Sequence, residues 1–363
     1  MLLPTEDQDM LRQAAREFLA DRAGSERLRA TLDTPSGHDA ELWKQISGLG
    51  WTALALPEEH GGLDAALADL AVVIEECGRT LIPGPLTAVS AVGWLLVRHA
   101  SAGQRAALLP GLADGEAIAV CSIGGPDNSG VVAAAPGLRL TGVRRHVADV
   151  AVASHVVLDV DTPQGPALAV VPTAAPGLSW LEEHTIDMTR RYFTLRFDDV
   201  PVKAEMLMGQ AAVAEMLRAA VVLQCAESVG VAARAFEMTC SYVNQRSQFG
   251  RLIGSFQAVK HRIADLYIEL EGARVATRDA AEAVQADRPD AAYATHVAKS
   301  WTARAASVIT SEAIQLHGGI GFTWEHDLHL LQRRAKANEL VLGTPAWHDE
   351  QLTIVLDDGT PAP

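Results

Sequence analysis

The chain of 363 residues is short of basic residues and lacks long apolar runs. Its 30 lysines and arginines face 45 acidic residues, which gives a formal net charge of −15. This balance excludes a general attraction to nucleic acid or to an anionic membrane, so any anionic ligand must be held by a local basic cluster. No uninterrupted apolar run approaches the roughly 20 residues of a spanning helix, and the N-terminal residues show no leader pattern. We therefore expect a cytoplasmic protein without nucleic-acid or membrane partners.

Several catalytic and metal-binding patterns are also missing. No serine lies in a Gly-x-Ser-x-Gly elbow, and no Gly-Gly pair belongs to a dinucleotide fingerprint between strand and helix. His326 and His329 flank Asp327, but two histidines at this spacing without a third ligand do not predict a metal site. The cysteines show no CxxC spacing and are expected to be buried thiols: Cys77, Cys121, Cys225 and Cys240. We expect neither a bound metal nor serine hydrolase activity.

The first 115 residues are predicted to be helical. Thr5 and Gln8 fit a capping box ahead of apolar positions that run at helical spacing from Met10 to Leu19. Breaks at proline and glycine separate the further helices, which are expected at residues 39–49, 67–78, 89–99 and 104–112.

Short strand-like segments replace the helices after Gly115. They are separated by turn residues and lie at 131–134, 138–140, 150–159, 168–171 and 193–197. Segments at this spacing predict a small β-barrel or sandwich. Because helices return from Val213 onward, strands and helices do not alternate, which excludes a doubly wound sheet. The prediction is an α+β fold with domains at 1–115, 116–207 and 208–363.

Two stretches in the last third of the chain suit a nucleotide. Residues 246–257 read RSQFGRLIGSFQ and form a turn between long helices predicted at 211–243 and 257–286. Residues 315–323 read QLHGGIGFT. Arg246 can bind a phosphate through a bidentate fork, and a Gly-Gly pair lets backbone N–H groups approach an anion. Either stretch alone also fits an arginine at a helix end and glycines that end a helix.

Together with Lys299 and the pair Gly343 and Thr344, the two stretches resemble the C-terminal domain of the acyl-CoA dehydrogenase family of flavoproteins. The segment LPEEHGG at residues 56–62 also resembles that family. The resemblance covers the whole chain and is closest in the C-terminal part. It implies an N-terminal helical domain, a central β-barrel and a C-terminal four-helix bundle. It also implies FAD as cofactor, α,β-desaturation of an acyl-CoA substrate, and electron-transfer flavoprotein as a partner.

The resemblance further implies which residues bind FAD. In the family, the arginine and the Gln-x-x-Gly-Gly turn of one subunit hold the adenine half of the FAD bound by its neighbour. The corresponding residues of this chain are Arg246, Gln248, Phe249, Gln257, Gln315, Gly318, Gly319 and Thr344. The segments that contact the flavin ring in active members fall at 121–127 and 146–148, where this chain departs from the family pattern.

The family reaction needs a carboxylate base, which removes the proton beside the thioester carbonyl. Most members carry it as a glutamate directly before the Gly-Thr pair, and this position is Leu342 here. Other members carry it on the first long helix, at the position of Ala220. Glu339 is a weak substitute candidate, whereas Glu227 lies two helical turns, roughly 10 Å, beyond Ala220. No catalytic base is therefore assigned.

A chain that keeps the FAD-binding residues but lacks the base is similar to the non-catalytic subunit of the α2β2 acyl-CoA dehydrogenases of actinobacterial steroid side-chain degradation. The leading prediction is a hetero-oligomer in which this chain completes the FAD site of a homologous catalytic subunit. One alternative is a self-sufficient homo-oligomeric dehydrogenase that uses a displaced base such as Glu339. Another is a structural subunit, or a flavin-dependent monooxygenase on the same fold.

Overall fold

The N-terminal part of the computed structural model, which describes residues 4–123, 131–134 and 138–357, is helical. Its helices are α1 (Glu6–Arg22), α2 (Ser25–Leu32), α3 (Ala40–Gly48), α4 (Leu67–Thr80), α5 (Leu86–His99) and α6 (Ala102–Ala113). The predicted capping box is confirmed, since the Gln8 backbone N–H donates to Thr5 Oγ1 at 3.2 Å. Helix α2 was not predicted, because Gly24 at its N-cap supplies no side-chain cap.

A mixed sheet follows the helices. Its strands are β1 (Ala119–Ser122), β2 (Val131–Ala134), β3 (Arg139–Ala148), β4 (His155–Thr162), β5 (Gly165–Pro172), β6 (Leu178–Glu183), β7 (Tyr192–Pro201) and β8 (Leu207–Met208). The strand order is β6-β7-β3-β2-β4-β5-β8, and β1 pairs in parallel with β4 beside this path. Strand β6 was not predicted, and residues 150–152 form a 3-10 turn rather than the start of a strand.

Within the described residues, the sheet does not close into the barrel that the resemblance implied. Closure would require β6 to pair with β8, the two ends of the path. Strand β8 has only two residues, and most side chains of β6 face solvent. A very short end strand is one way in which a sheet edge is protected without closure.

A helical bundle completes the chain, as predicted. Its helices are α7 (Gln210–Val243), α8 (Gln257–Gln285), α9 (Ala291–His317), α10 (Leu328–Leu340) and α11 (Pro345–Asp357), with a small hairpin of β9 (Ser247–Gln248) and β10 (Arg251–Leu252) after α7. Helices α7 to α10 pack against one another, and α11 packs on α9. Helix α7 is long and apolar enough to cross a membrane, but 89% of its most apolar window is buried inside the protein, as in a core helix.

Two glycines bring α4 of the N-terminal part against α7 of the bundle. A Cβ added at Gly78 would lie 2.1 Å from the Glu227 carbonyl oxygen, and one added at Gly230 would lie 1.9 Å from that of Glu75. Neither position has room for a side chain. The backbones of α4 and α7 are therefore in direct contact where the two helices cross.

Candidate active site and cofactor-binding surface

The loop between α10 and α11 contains the position at which most members of the family that the sequence resembles carry their base. Leu342 has φ +61°, in the left-handed region that few non-glycine residues adopt. Gly343 follows with φ +99°, and a Cβ there would lie 2.5 Å from Cε3 of Trp347. Residues 341–344, which we call the closing loop, therefore form a tight turn against the start of α11.

Lys299 supports the closing loop from α9. Its ammonium donates to Val341 O at 2.8 Å, to Gln224 Oε1 and to Asn338 O. These partners are neutral oxygens, two of them carbonyls at the C-terminal end of α10, where the helix dipole favours a positive charge. Burial lowers the pKa of Lys299 to about 8.

A pair of histidines supports the same loop from a second side. His348, which is fully buried, places Nε2 2.9 Å from Leu342 O. Its Nδ1 lies 2.8 Å from Nδ1 of His296 on α9. Burial lowers the pKa of His348 to about 3 and that of His296 to about 4, so both imidazoles are neutral at pH 7.

A cavity of about 360 Å³ lies between the closing loop and the sheet. Its walls are Cys121, Ser122 and Ile123 of β1 and its end, Tyr192 of β7, and residues 340–344. None of the described residues that line it is an aspartate or glutamate. Its ionisable side chains include Arg145 and His146, and Nδ1 of His146 lies 2.5 Å from Glu183 Oε2. Burial raises the pKa of Cys121 and of Tyr192 to about 12, so neither side chain is a base at neutral pH.

The predicted base positions are placed as follows. Leu342 lines the cavity, and Ala220 is buried in α7 outside its lining. Glu339 is also outside the lining, and its carboxylate forms an ion pair with Lys336 at 2.6 Å. Its neighbour Leu340 faces the cavity instead.

Glu227 is held in a buried ion cluster behind the cavity. Its Oε1 accepts from Arg190 at 2.7 Å and from Arg334 at 2.8 Å, and its Oε2 accepts from Asn338 at 3.1 Å. Burial alone would raise the pKa of Glu227, but the two guanidinium groups outweigh it and lower the pKa to about 2. With both oxygens occupied, this carboxylate is not available to a ligand in the cavity.

Most of the predicted FAD-binding residues meet at the far end of the bundle. The Arg246 N–H donates to the carbonyl of Tyr242 at 2.9 Å, which places the hairpin at the end of α7. Tyr242 stacks on His317 with 4.3 Å between ring centroids. Because Gly318 directly follows His317, the two predicted stretches lie side by side, and we call this surface the hairpin end.

The side chains of the hairpin end face solvent. Phe249 at the hairpin tip is 92% exposed and has φ +54°, a left-handed conformation that is costly for a bulky residue. Four polar side chains beside it are exposed: Arg246, Gln248, Gln257 and Gln315. Arg246 has no ion pair within the described part of the chain. These groups are available to a ligand or a partner.

The hairpin end fits an anionic dinucleotide. A Cβ added at Gly318 or Gly319 would meet nothing within 4 Å, so the backbone there is open to close approach. Phe256 at the N-cap of α8 provides no side-chain cap, which leaves N–H groups of the first helical turn free. An uncapped helix N-terminus beside an arginine favours phosphate.

Thr344 is not part of the hairpin end. It lines the cavity and caps α11, where its Oγ1 accepts from the Trp347 N–H at 3.2 Å. The closing loop contacts α9 at Lys299, 18 residues before His317, which corresponds to about 27 Å along the helix. The structure thus separates the predicted cofactor residues into two groups.

The sequence did not predict the buried residues that support the closing loop and the ion cluster around Glu227. His348 and Arg334 have no local signal except that Arg334 and Asn338 are four residues apart, which places them on one helix face. The sequence places arginine pairs near strand ends at 144–145 and 190–191, where a solvated edge, or contact with the phosphates of CoA, is the prediction. The prediction of a solvated edge is wrong for Arg144, which is 1% exposed, and for Arg190, which binds Glu227. Residues 124–127 of the predicted flavin-contact segment lie outside the described residues.

Comparison with known proteins gives matches over nearly the whole chain. Residues 5–116 match the family model of the acyl-CoA dehydrogenase N-terminal domain, and residues 208–354 match that of the C-terminal domain. The acyl-CoA dehydrogenase IpdE2 of Mycobacterium tuberculosis is 34% identical over 345 residues, which are 95% of each chain.

Two solved structures are similar over the full length. A chain of a Tcur3481-Tcur3483 steroid ACAD variant is 33% identical, with a TM-score of 0.91 and 98% of each chain covered. A chain of the ChsE4-ChsE5 complex from Mycobacterium tuberculosis is 26% identical, with a TM-score of 0.93 and 100% of each chain covered.

Proposed function

Because this chain belongs to the acyl-CoA dehydrogenase family, whose members bind FAD and oxidise CH–CH bonds, we propose that it acts in acyl-CoA α,β-desaturation as a subunit without a base. In this role it completes the FAD site of a homologous catalytic subunit. The observation that carries the proposal is the cavity at the closing loop, whose described lining contains no carboxylate.

The absence of a carboxylate from the described lining matters because the α-hydrogen of a thioester is a weak acid. A base must lie within hydrogen-bond reach of that hydrogen, directly or through one water. Leu342 occupies the position facing the cavity, Glu339 is paired with Lys336, and Glu227 is enclosed by guanidinium groups. The described residues therefore supply a shaped cavity without a carboxylate, and the imidazole of His146 at its wall is bound to Glu183 at 2.5 Å.

The predicted cofactor-binding residues lie in two separate groups, which supports a role in binding the FAD of a neighbouring subunit. About 27 Å lies between the closing loop and the hairpin end along α9. The hairpin end is open to solvent and presents an aromatic tip, an arginine and an uncapped helix N-terminus. A surface of this kind is complete only when a second subunit covers it, with the dinucleotide between them.

The chain's own residues have distinct tasks in this proposal. Arg246 neutralises the pyrophosphate, the backbone at Gly318 and Gly319 approaches it, and the Phe249 ring covers an apolar part of the ligand. Gln248, Gln257 and Gln315 donate or accept hydrogen bonds at the adenosine half. Thr344 contributes at the cavity of this subunit. FAD, when bound, supplies the hydride acceptor.

The relatives support a hetero-oligomer and a steroid-derived substrate. One similar structure is described as a Tcur3481-Tcur3483 steroid ACAD variant, and another is the ChsE4-ChsE5 complex. We propose the same arrangement here: two copies of this chain with two copies of a homologous subunit that carries the glutamate. The substrate is then the CoA thioester of a bulky, steroid-derived acyl group. Electron-transfer flavoprotein accepts the electrons in the cytoplasm.

Co-expression with a homologous acyl-CoA dehydrogenase subunit tests the proposal. We expect one FAD for each pair of unlike chains, measured from flavin absorbance and the mass of the complex, and little flavin on this chain alone. One FAD on every chain, with turnover by this chain alone, would contradict the proposal and favour a self-sufficient dehydrogenase. Oxygen consumption that requires added reduced flavin would instead identify a monooxygenase.

A further inference from the structure

The two imidazoles behind the closing loop have their protons fixed by their partners. The carbonyl of Leu342 can only accept, so Nε2 of His348 carries a proton and donates it over 2.9 Å. A neutral His348 then has an unprotonated Nδ1, which accepts from Nδ1 of His296 at 2.8 Å. Hydrogen bonds therefore run in one direction, from α9 through His348 to the closing loop.

This chain of hydrogen bonds acts on a backbone that would otherwise relax. Leu342 is held with φ +61°, which sterics disfavour for any residue with a Cβ. Lys299 fixes the carbonyl before it and His348 fixes its own carbonyl. Two consecutive carbonyls are thus bound on one side of the loop, while the Leu342 side chain lines the cavity on the other side.

We propose that His348 and His296 are positioning residues that set the left-handed turn at Leu342 and so direct the side chain of residue 342 into the cavity. The backbone geometry that a base at this position needs is then present in this subunit, and the residue type at 342 decides whether the position carries a carboxylate. This rests on the proposed function in one respect, namely that the cavity corresponds to the catalytic cavity of the partner subunit.

Hydrogen exchange of the closing loop tests the proposal in the purified complex. His348→Leu removes the donor to Leu342 O, and His348→Gln keeps an N–H donor at a similar reach. A lost buried hydrogen bond is expected to speed amide exchange in a peptide spanning residues 336–346 by about tenfold or more. We expect this increase in His348→Leu and a smaller one in His296→Leu, with near wild-type exchange in His348→Gln.

His317→Leu is the matched control. It removes another buried imidazole of α9, about 27 Å away at the hairpin end, and should leave exchange in residues 336–346 unchanged. Unchanged exchange in His348→Leu would overturn the proposal, and so would equal acceleration in His348→Gln. If His348→Leu fails to fold, the comparison of His296→Leu with wild type decides in the same way. Flavin stoichiometry is measured separately, so failure of the proposed function is distinguishable from failure of this inference.

Discussion

Replacing Leu342 by glutamate is predicted to give this chain a working proton acceptor. The left-handed turn directs the side chain of residue 342 into the cavity, whose nearby walls include Ile123 and Leu340. An apolar wall raises the pKa of a carboxylate toward neutral pH, while Arg145 at the same cavity opposes a large rise. A positioned base of this kind contributes roughly 10²–10⁴-fold to proton transfer.

The assay is exchange of the acyl α-hydrogen in D2O, followed by mass spectrometry, in an FAD-loaded complex whose catalytic subunit has its own glutamate replaced by glutamine. Octanoyl-CoA and a steroid side-chain acyl-CoA serve as probes, and no electron acceptor is required. We expect Leu342→Glu to exchange at least about 100-fold faster than the uncharged control Leu342→Gln. The carboxylate is also expected to cost about 1–3 kcal/mol of folding stability, because it is introduced into a partly buried site.

Equal exchange in Leu342→Glu and Leu342→Gln would refute the reasoning, provided that both variants fold and bind FAD. It would mean that side chain 342 does not reach the acyl α-carbon, or that some other group already serves as base. Fast exchange with the wild-type chain would support the second explanation and would contradict the proposal that this subunit lacks a base.

Three further predictions concern the cofactor surface and the buried contacts. Arg246→Ala should weaken FAD binding to the complex by about 10- to 100-fold in a flavin fluorescence titration, whereas Arg22→Ala on α1 should not. Gly230→Ala should lower the free energy of unfolding in urea by about 1–3 kcal/mol, because the added methyl meets the Glu75 carbonyl, while Gly103→Ala, with nothing within 4 Å, should not destabilise. Glu227→Gln should cost about 3 kcal/mol, since it removes the carboxylate that Arg190 and Arg334 share and leaves them with Asp149 at 3.8 Å and Asp187 at 2.6 Å. The pKa of Glu227 is lowered from 4.5 to about 2, so its contribution to stability is present above pH 4.5 and lost as pH falls toward 2. Urea titrations of wild type and Glu227→Gln should therefore converge at acid pH, and curves that stay parallel would contradict this assignment.

The parts of the fold that the sequence predicted are those with local signals. The capping box at Thr5 and the long helices α7 and α8 depend on residues a few positions apart, and they appear where they were expected. Helix α2 and strand β6 have weak local patterns, since one lacks a cap and the other alternates little between buried and exposed residues. The openness of the sheet depends on the two-residue length of β8, which no turn signal reports.

The site divides in the same way. The two stretches of the hairpin end could be identified from the sequence because each is a short motif at the end of a helix, while their role in binding FAD stays a prediction. The supports of the closing loop were not, because they join positions far apart in sequence: His296 and His348 are 52 residues apart, and Lys299 and Val341 are 42 apart. Arg190 and Glu227 are likewise joined only by the packing of the sheet against α7. No spacing rule identifies such pairs from one sequence.

Under the proposed function, the distance between the two halves of the site explains how one chain can bind the cofactor without supplying a base for proton transfer. The hairpin end and the closing loop share α9 but have no side chain in common, and about 27 Å of helix separates them. A change from glutamate to leucine at position 342 therefore leaves the contacts of Arg246 and Gly318 intact. In an oligomer in which each dinucleotide lies between two unlike chains, selection acts on the hairpin end of one chain and on the base of the other. Under the proposed function, the backbone supports from Lys299 and His348 are expected to be kept without a base at position 342, because they also join α9 and α11 to the C-terminal end of α10 and the closing loop.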